Sequence, residues 1–292
     1  MKTQINSILI PTDFSELSES AIKVGIAIAK RQNAKVTLLH IVDVLPVLLP
    51  TQVLLSDPQE VLSRMEEKLE EISERIRKES GVKAVVKALE GTPADRIGKF
   101  AYEENISLIV MGTHGVSGLR EFFIGSEAFK VVKNATCPVL TIPGNWQKTD
   151  FEKVLFPIRL SPDIYKTYFY ARPIIEKNNS ELFILGLYER EKDIDNNEIS
   201  ISMNKLKVQV DNDNVLFKSG ITQSNDLPVK ILSIAKDYKA DLIILTANLD
   251  SNFKAFFVGP FVQQVVNHSQ LPVLSIRPKF NETGQNTFAE PA

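Results

Sequence analysis

The sequence predicts an α/β protein made of two similar domains, each a parallel sheet covered by helices on both faces. Short apolar runs alternate with helical periodicity in the first half, and these runs lack the polar alternation of a half-exposed strand. An internal repeat supports two domains, because residues 7–43 and 106–143 resemble residues 153–189 and 240–278. The strands predicted in the first copy are residues 7–10, 36–41, 82–89, 108–111 and 139–142.

The repeat also predicts the domain boundaries. The first domain is expected at residues 1–144 and the second at residues 151–278, joined by a short polar connector at 144–150. Residues 279–292 are polar and lack periodicity, so a flexible tail is expected there.

Helices are predicted between the strands. Apolar residues recur at helical spacing at positions 17, 21, 24 and 28, and again from 61 to 76. The sequence Thr92-Pro93-Ala94-Asp95 supplies an N-cap, a proline at the first helical position and an acid at the third. A fourth helix is expected to begin at Ser126. Right-handed crossovers between these elements then give a doubly wound sheet.

Composition excludes several classes of function. The 292 residues carry a net charge of −2 with a pI near 6.0, so the basic surplus that favours nucleic acid or anionic lipid is absent. The apolar stretch at 42–55 is short and interrupted by Pro46 and Pro50, so no membrane span is expected. A single cysteine, Cys137, and an N-terminus without a signal-peptide pattern predict a cytoplasmic protein.

Glycines are concentrated between the fourth strand and the fourth helix. Residues 111–126, MGTHGVSGLREFFIGS, hold four of the 13 glycines. Unpaired amides and the helix dipole favour an anion at a helix N-terminus, so a phosphate is the expected ligand. Gly112, Gly115 and Gly118 are expected to adopt positive φ, and Ser126 adds a hydroxyl. The alternative is a plain connecting turn with Ser126 as an ordinary N-cap.

Asp13 follows the first strand, where a doubly wound sheet places its ligand crevice. Its carboxylate suits a ribose hydroxyl or an adenine amino group, and Ile41 offers an apolar wall at the end of the second strand. Asp13 also begins the sequence Asp-Phe-Ser-Glu, which fits a capping box for the first helix. The two interpretations are compatible.

These features together resemble the universal stress protein family. The spacing Gly112-x-x-Gly115, nine residues, then Gly125-Ser126 is similar to the family's nucleotide loop, and residues 11–16 and 137–143 resemble its opening and closing segments. The resemblance implies two tandem Rossmann-like domains, each a five-stranded parallel sheet in the order 3-2-1-4-5. It also implies ATP, or AMP or ADP, bound with Mg²⁺ or Mn²⁺ held through the phosphates. The nucleotide-binding residues it implies are Pro11, Thr12, Asp13, Ile41, Met111, Gly112, His114, Gly115, Gly125 and Ser126.

The second copy departs from this pattern. Thr246 replaces Gly112, Leu249 replaces Gly115, and Pro260 replaces Ser126, although Gly259 is retained. Arg159 replaces Asp13 and reverses the charge at the crevice, while proline removes an amide where a phosphate would bind. One nucleotide site per chain is therefore expected, in the first domain.

Catalytic and metal-binding residues are not evident. His40, His114 and His268 lack metal-ligand spacing, His40 fits a structural strand residue, and Cys137 fits a small buried hydrophobe. No Walker-type lysine or positioned base accompanies the glycine loop. The expected function is a nucleotide-dependent sensor that acts on an unknown protein partner. The alternatives are slow ATP hydrolysis or self-phosphorylation at Thr113 or Ser117, and a scaffold without ligand.

The last strands of the two copies are expected to pair. Residues 137–142 and 271–276 have nearly the same sequence, and the family's dimers pair edge strands. A pseudo-dimer within one chain is therefore predicted. The apolar residues 44–57 suit a lid over the crevice or a contact with a second chain in a homodimer.

Overall fold

A computed structural model describes residues 4–43, 57–113, 126–159, 164–188, 196–247 and 260–277. Strands and helices alternate along these segments as the sequence predicts. In the first half they are β1 (Ser7–Pro11), α1 (Glu16–Gln32), β2 (Lys35–Val42), α2 (Pro58–Ser80), β3 (Ala84–Glu90), α3 (Pro93–Glu103), β4 (Leu108–Gly112), α4 (Ser126–Asn134) and β5 (Val139–Ile142). In the second half they are β6 (Lys153–Ile158), α5 (Ile164–Asn178), β7 (Glu181–Tyr188), α6 (Asn196–Asn212), β8 (Phe217–Gln223), α7 (Leu227–Tyr238), β9 (Leu242–Thr246), α8 (Pro260–His268) and β10 (Val273–Ile276).

All of these strands form one sheet, in the order β3-β2-β1-β4-β5-β10-β9-β6-β7-β8. Each half has the order 3-2-1-4-5 with parallel pairing, which confirms the predicted fold class. The halves join where β5 and β10 pair antiparallel, with Leu140 opposite Leu274. The predicted pairing of the two closing strands within one chain is therefore present.

The sheet is covered on both faces, and each face has a core that runs through both halves. On one face the core joins α1, α2, α5 and α6, and on the other it joins α3, α4, α7 and α8. Adjacent residues of β1 show the alternation, because Ile8 packs into the first core and Leu9 into the second. Both are fully buried, as expected for a strand in the middle of a doubly covered sheet.

The connector at 144–150 is held against both halves. The carbonyl of Gly144 accepts a hydrogen bond from Ser20 Oγ, and the carbonyl of Thr149 accepts one from Arg31. Lys148 forms an ion pair with Asp241, whose other oxygen accepts from the Lys153 amide at 3.0 Å. These contacts and the shared cores fix the relative position of the halves. The division into domains at 144 and 151 stays a prediction.

Among the described segments, no helix has both the length and the apolar character needed to cross a membrane.

Candidate functional site

The carboxyl ends of β1, β2 and β4 meet at one end of the sheet. Pro11 is the last residue of β1, Ile41 is the second-to-last residue of β2, and Gly112 is the last residue of β4. The Thr12 amide continues the β1 pairing by donating to the Leu39 carbonyl at 2.9 Å. The sheet therefore brings together the predicted residues that lie at its strand ends, in the crevice position typical of doubly wound folds.

The hydroxyl of Thr12 is used inside the protein. Thr12 Oγ1 accepts a hydrogen bond from the Phe14 amide at 3.1 Å and lies 2.9 Å from Ser18 Oγ. Ser18 Oγ donates to the Ser15 carbonyl at 2.7 Å, so its proton is committed and Thr12 is the donor to Ser18. With Thr12 buried as well, its side chain fixes the turn after β1 instead of presenting a hydroxyl to solvent.

Asp13 does not cap the first helix, so the predicted capping box is wrong. The N-cap of α1 is Ser15, whose side chain accepts from the Ser18 amide. Asp13 Oδ1 instead accepts from the Ser15 amide at 3.1 Å and from Ser15 Oγ at 2.6 Å. Asp13 thus holds Ser15, the N-cap residue, in place. The Asp13 side chain is only partly buried.

The turn after β1 also holds His40 and Phe14. His40 Nδ1 donates to the Thr12 carbonyl at 2.8 Å, and its ring centroid lies 4.4 Å from that of Phe14. Burial lowers the pKa of His40, although the Thr12 carbonyl and Asp13 act in the opposite direction. Phe14 has φ of 63°, a left-handed conformation that is strained for a bulky residue. His40 is therefore a structural residue that braces this turn, as predicted.

Met111 and Gly112 contribute backbone to the crevice. The Met111 side chain is buried in the core shared with α3 and α4, so only its main chain lies at the strand end. Gly112 pairs with Ile142 as the last residue of β4, whereas the glycines with positive φ in the described segments are Gly81 and Gly91. The expected left-handed turn at Gly112 is therefore wrong. His114, Gly115 and Gly125 lie outside the described residues.

Helix α4 begins at Ser126, as predicted, and Ser126 is exposed. The next residue, Glu127, was not predicted as functional. Its Oε2 accepts from the Ala94 amide in the first turn of α3 at 3.0 Å, and its Oε1 accepts from Lys130 at 2.6 Å. Burial alone would raise the pKa of Glu127, but these two hydrogen bonds outweigh it and lower the pKa. The sequence signal was an acidic residue in the first turn of α4.

The N-terminus of α3 is capped by the side chain of Glu127, which accepts a hydrogen bond from the Ala94 amide. Thr92 stands at the predicted N-cap position, but its side chain makes no capping hydrogen bond. The carboxylate of Glu127 therefore joins the N-termini of α3 and α4 on the same side of the crevice.

The corresponding end of the second half is built differently. Thr246, in the place of Gly112, lies with Oγ1 2.9 Å from Thr167 Oγ1. Arg159, in the place of Asp13, has its guanidinium carbon 5.0 Å from the centroid of the Phe261 ring. Phe261 follows Pro260, which begins α8. A threonine side chain and a stacked arginine thus occupy positions where the first half has a glycine and an aspartate.

Other candidate sites are not supported in the described segments. Cys137 is buried, and burial raises its pKa to about 12, which confirms that it behaves as a small hydrophobe. No group of three or more metal-ligating side chains occurs in these segments. A shallow groove along α2 and β3 is lined mainly by glutamates, but it lies away from the strand ends.

Fold and site together define a class: a duplicated, doubly wound α/β protein with a candidate anion-binding crevice in one half. A family model described as the universal stress protein family matches residues 4–143 and 190–277. The chain therefore belongs to the universal stress protein family.

Individual relatives match about half of the chain. It is 40% identical to universal stress protein MJ0531 of Methanocaldococcus jannaschii over 144 residues, which are 46% of this chain and 80% of that protein. It is 31% identical to universal stress protein YxiE of Bacillus subtilis over 151 residues, 47% of this chain and 98% of that protein. The solved structure of a universal stress protein from Archaeoglobus fulgidus aligns with 94% of this chain over its full length. The TM-score is 0.74 and the sequence identity is 22%. That structure supports the fold of both halves.

Proposed function

We propose that this chain binds one adenine nucleotide, with ATP as the first choice and AMP or ADP as alternatives, in the crevice of its first half. The observation that carries the proposal is the meeting of two features at one end of the sheet. The turn at Asp13 is fixed by internal hydrogen bonds, and α4 begins nearby at Ser126 after a strand that ends in glycine.

The residues fit a nucleotide with the phosphates toward α4. The first amides of a helix have no intrahelical partner and attract anions. Gly112 ends β4, the strand that precedes α4. Asp13 would face the nucleoside, where a carboxylate suits a ribose hydroxyl. Mg²⁺ or Mn²⁺ would bind through the phosphates. The protein would act as a regulator, because bound nucleotide changes the surface offered to a partner protein.

One matched solved structure is described as a universal stress protein in complex with cAMP. It is 20% identical over 49% of this chain, with a TM-score of 0.38.

The test uses a substitution that the second half already contains. Helix α8 begins with Pro260 and has the same nine-residue length as α4, and proline is well tolerated at the first helical position. Ser126→Pro should therefore preserve α4 but remove an amide from the phosphate site. Calorimetry with ATP and magnesium should show binding to the wild-type protein. The affinity of Ser126→Pro for ATP should be at least about tenfold lower, which is the loss expected for one charge-assisted hydrogen bond.

The matched control is Pro260→Ser in the second half, which should bind ATP like the wild-type protein. No heat from the wild-type protein at millimolar ATP would overturn the proposal. Equal affinity of the wild-type protein and Ser126→Pro would show that the nucleotide binds elsewhere.

A further inference from the structure

Arg277 connects the second half to the candidate nucleotide helix in the first. It follows β10 directly and interrupts the repeat, because residues 106–143 align with 240–278 without a gap until this position. Its Nη1 donates to the carbonyl of Lys133 at 2.5 Å and to the carbonyl of Ala135 at 3.3 Å. Lys133 lies in the last turn of α4, and Ala135 lies just beyond the helix. A side chain of one half thus caps a helix of the other.

The chemistry of this contact is that of a helix C-cap. The last carbonyls of a helix have no intrahelical partner, and a cation beside them also interacts favourably with the negative end of the dipole. Arg277 is half-buried, and burial lowers the pKa of its guanidinium, so this group is partly withdrawn from water. A guanidinium that has lost water gains more from two carbonyls than an exposed one.

Helix α4 is held at both ends. At its first turn Glu127 accepts from the Ala94 amide, and at its last turn Arg277 donates to Lys133 and Ala135. The helix has nine residues, so a shift at one end moves the other. Its starting residue, Ser126, is the proposed phosphate contact.

We propose that Arg277 is a positioning residue for the nucleotide site, through which the second half fixes the helix that binds the phosphates. This inference rests on the proposed function. The contact acts in one direction, because Arg277 is inserted between Ile276 and Pro278, and the first half has no residue between Ile142 and Pro143 that could make the same contact. The half without a glycine loop therefore supports the half that has one.

The experiment compares Arg277→Ala and Arg277→Lys with Gln32→Ala in the full chain. Gln32 Nε2 donates to the Pro173 carbonyl at 2.7 Å, so it also links the halves, but on the opposite face of the sheet. Amide hydrogen exchange of the ligand-free proteins reports on α4. Calorimetry with ATP and with adenosine separates phosphate binding from nucleoside binding, and circular dichroism checks that each variant is folded.

Arg277→Ala should exchange faster in α4 and bind ATP about tenfold more weakly, a loss within the range of a cation at a helix C-terminus. Its affinity for adenosine should be unchanged, and Arg277→Lys should recover part of the ATP affinity because it keeps the charge. Gln32→Ala should bind ATP like the wild-type protein.

Unchanged ATP affinity in Arg277→Ala, beside clear binding by the wild-type protein, would overturn this inference and leave the proposed function standing. Equal loss of ATP and adenosine affinity would also overturn it, because the effect would then be general. A wild-type protein that binds no ATP would overturn both proposals. Unchanged exchange in α4 would show that Arg277 does not fix that helix.

Discussion

The hydroxyl of Tyr168, in α5, donates a hydrogen bond of 3.0 Å to Oδ2 of Asp213, the residue that follows α6. Arg172 Nη1 lies 3.0 Å from the other oxygen of Asp213. All three side chains are largely withdrawn from solvent. The carboxylate therefore joins α5 to the end of α6 through hydrogen bonds made away from water.

Tyr168→Phe should destabilise the protein by about 1.5–3 kcal/mol, because it removes a hydrogen bond to a charged group in a buried position. Urea unfolding at neutral pH measures the loss. Tyr165→Phe is the control, since Tyr165 is 39% exposed and the change should cost less than about 0.5 kcal/mol. An equal loss of unfolding free energy in the two variants would contradict a specific contribution of the Tyr168 hydroxyl to stability.

Asp213 should also make stability depend on pH. Burial alone would raise its pKa, but hydrogen bonds from Gln209, Tyr168 and Arg172 outweigh burial and lower it. A lowered pKa means that the stabilisation is complete above the unfolded value, about 3.9, and is lost as the pH falls through the lower folded value.

The comparison is between the wild-type protein and Asp213→Asn, unfolded in urea at several pH values from 7 to 2.5. The stability difference should be largest near pH 7 and should shrink below about pH 4, where the unfolded carboxyl is protonated. A difference that stays constant across the series would contradict the lowered pKa.

Asp241→Ala should weaken the junction between the connector and the second half. Asp241 is buried, and the substitution removes both its ion pair with Lys148 and the acceptor for the Lys153 amide. Because the Lys153 amide would lose its acceptor, we expect the unfolding free energy to fall by about 1–3 kcal/mol. Lys148→Ala is the control and should cost less than about 1 kcal/mol, because the Lys148 side chain is 59% exposed. If Lys148→Ala lost more unfolding free energy than Asp241→Ala, the stabilisation would come from the ion pair and not from the hydrogen bond to the Lys153 amide.

Two glycines should respond oppositely to alanine. A Cβ at Gly186, in β7, would lie 2.6 Å from Met203 Sδ and 2.9 Å from Ile199 Cγ2, and both of these side chains are buried. Gly186→Ala should therefore destabilise the protein by about 1–3 kcal/mol through overpacking. A Cβ at Gly98, in α3, would meet nothing within 4 Å, so Gly98→Ala should stabilise by about 0.5–1 kcal/mol through helix propensity. Thermal unfolding of both variants tests the pair, and a shift in the same direction would contradict it.

Local patterns predicted the elements well because their causes are local. Strand β5 has the predicted bounds, and α4 begins at the predicted Ser126. Helix α3 begins at Pro93, where a proline needs no amide partner. The pairing of β5 with β10 was expected from the resemblance, because the family's dimers pair edge strands, and it covers two exposed edges.

The details of the site depended on geometry that no local pattern contains. Asp13 and Ser15 are both good N-cap residues, and the choice of Ser15 goes with the left-handed backbone at Phe14. Gly112 was expected in a turn, but its pairing with Ile142 keeps it in the strand. The contact of Arg277 with α4 exists only because β5 and β10 pair in one register, which places the end of β10 beside the end of a helix from the other half.

Because the two halves belong to one polypeptide, they can carry different residues at equivalent positions. In an assembly of two identical subunits, every substitution occurs twice, so a proline at one helix start would also occur at the other. Here the antiparallel junction keeps a two-fold arrangement of strands, while Ser126 and Pro260 differ at equivalent helix starts. A single chain with two similar halves can thus carry a serine at one helix start and a proline at the equivalent one, which two identical subunits cannot.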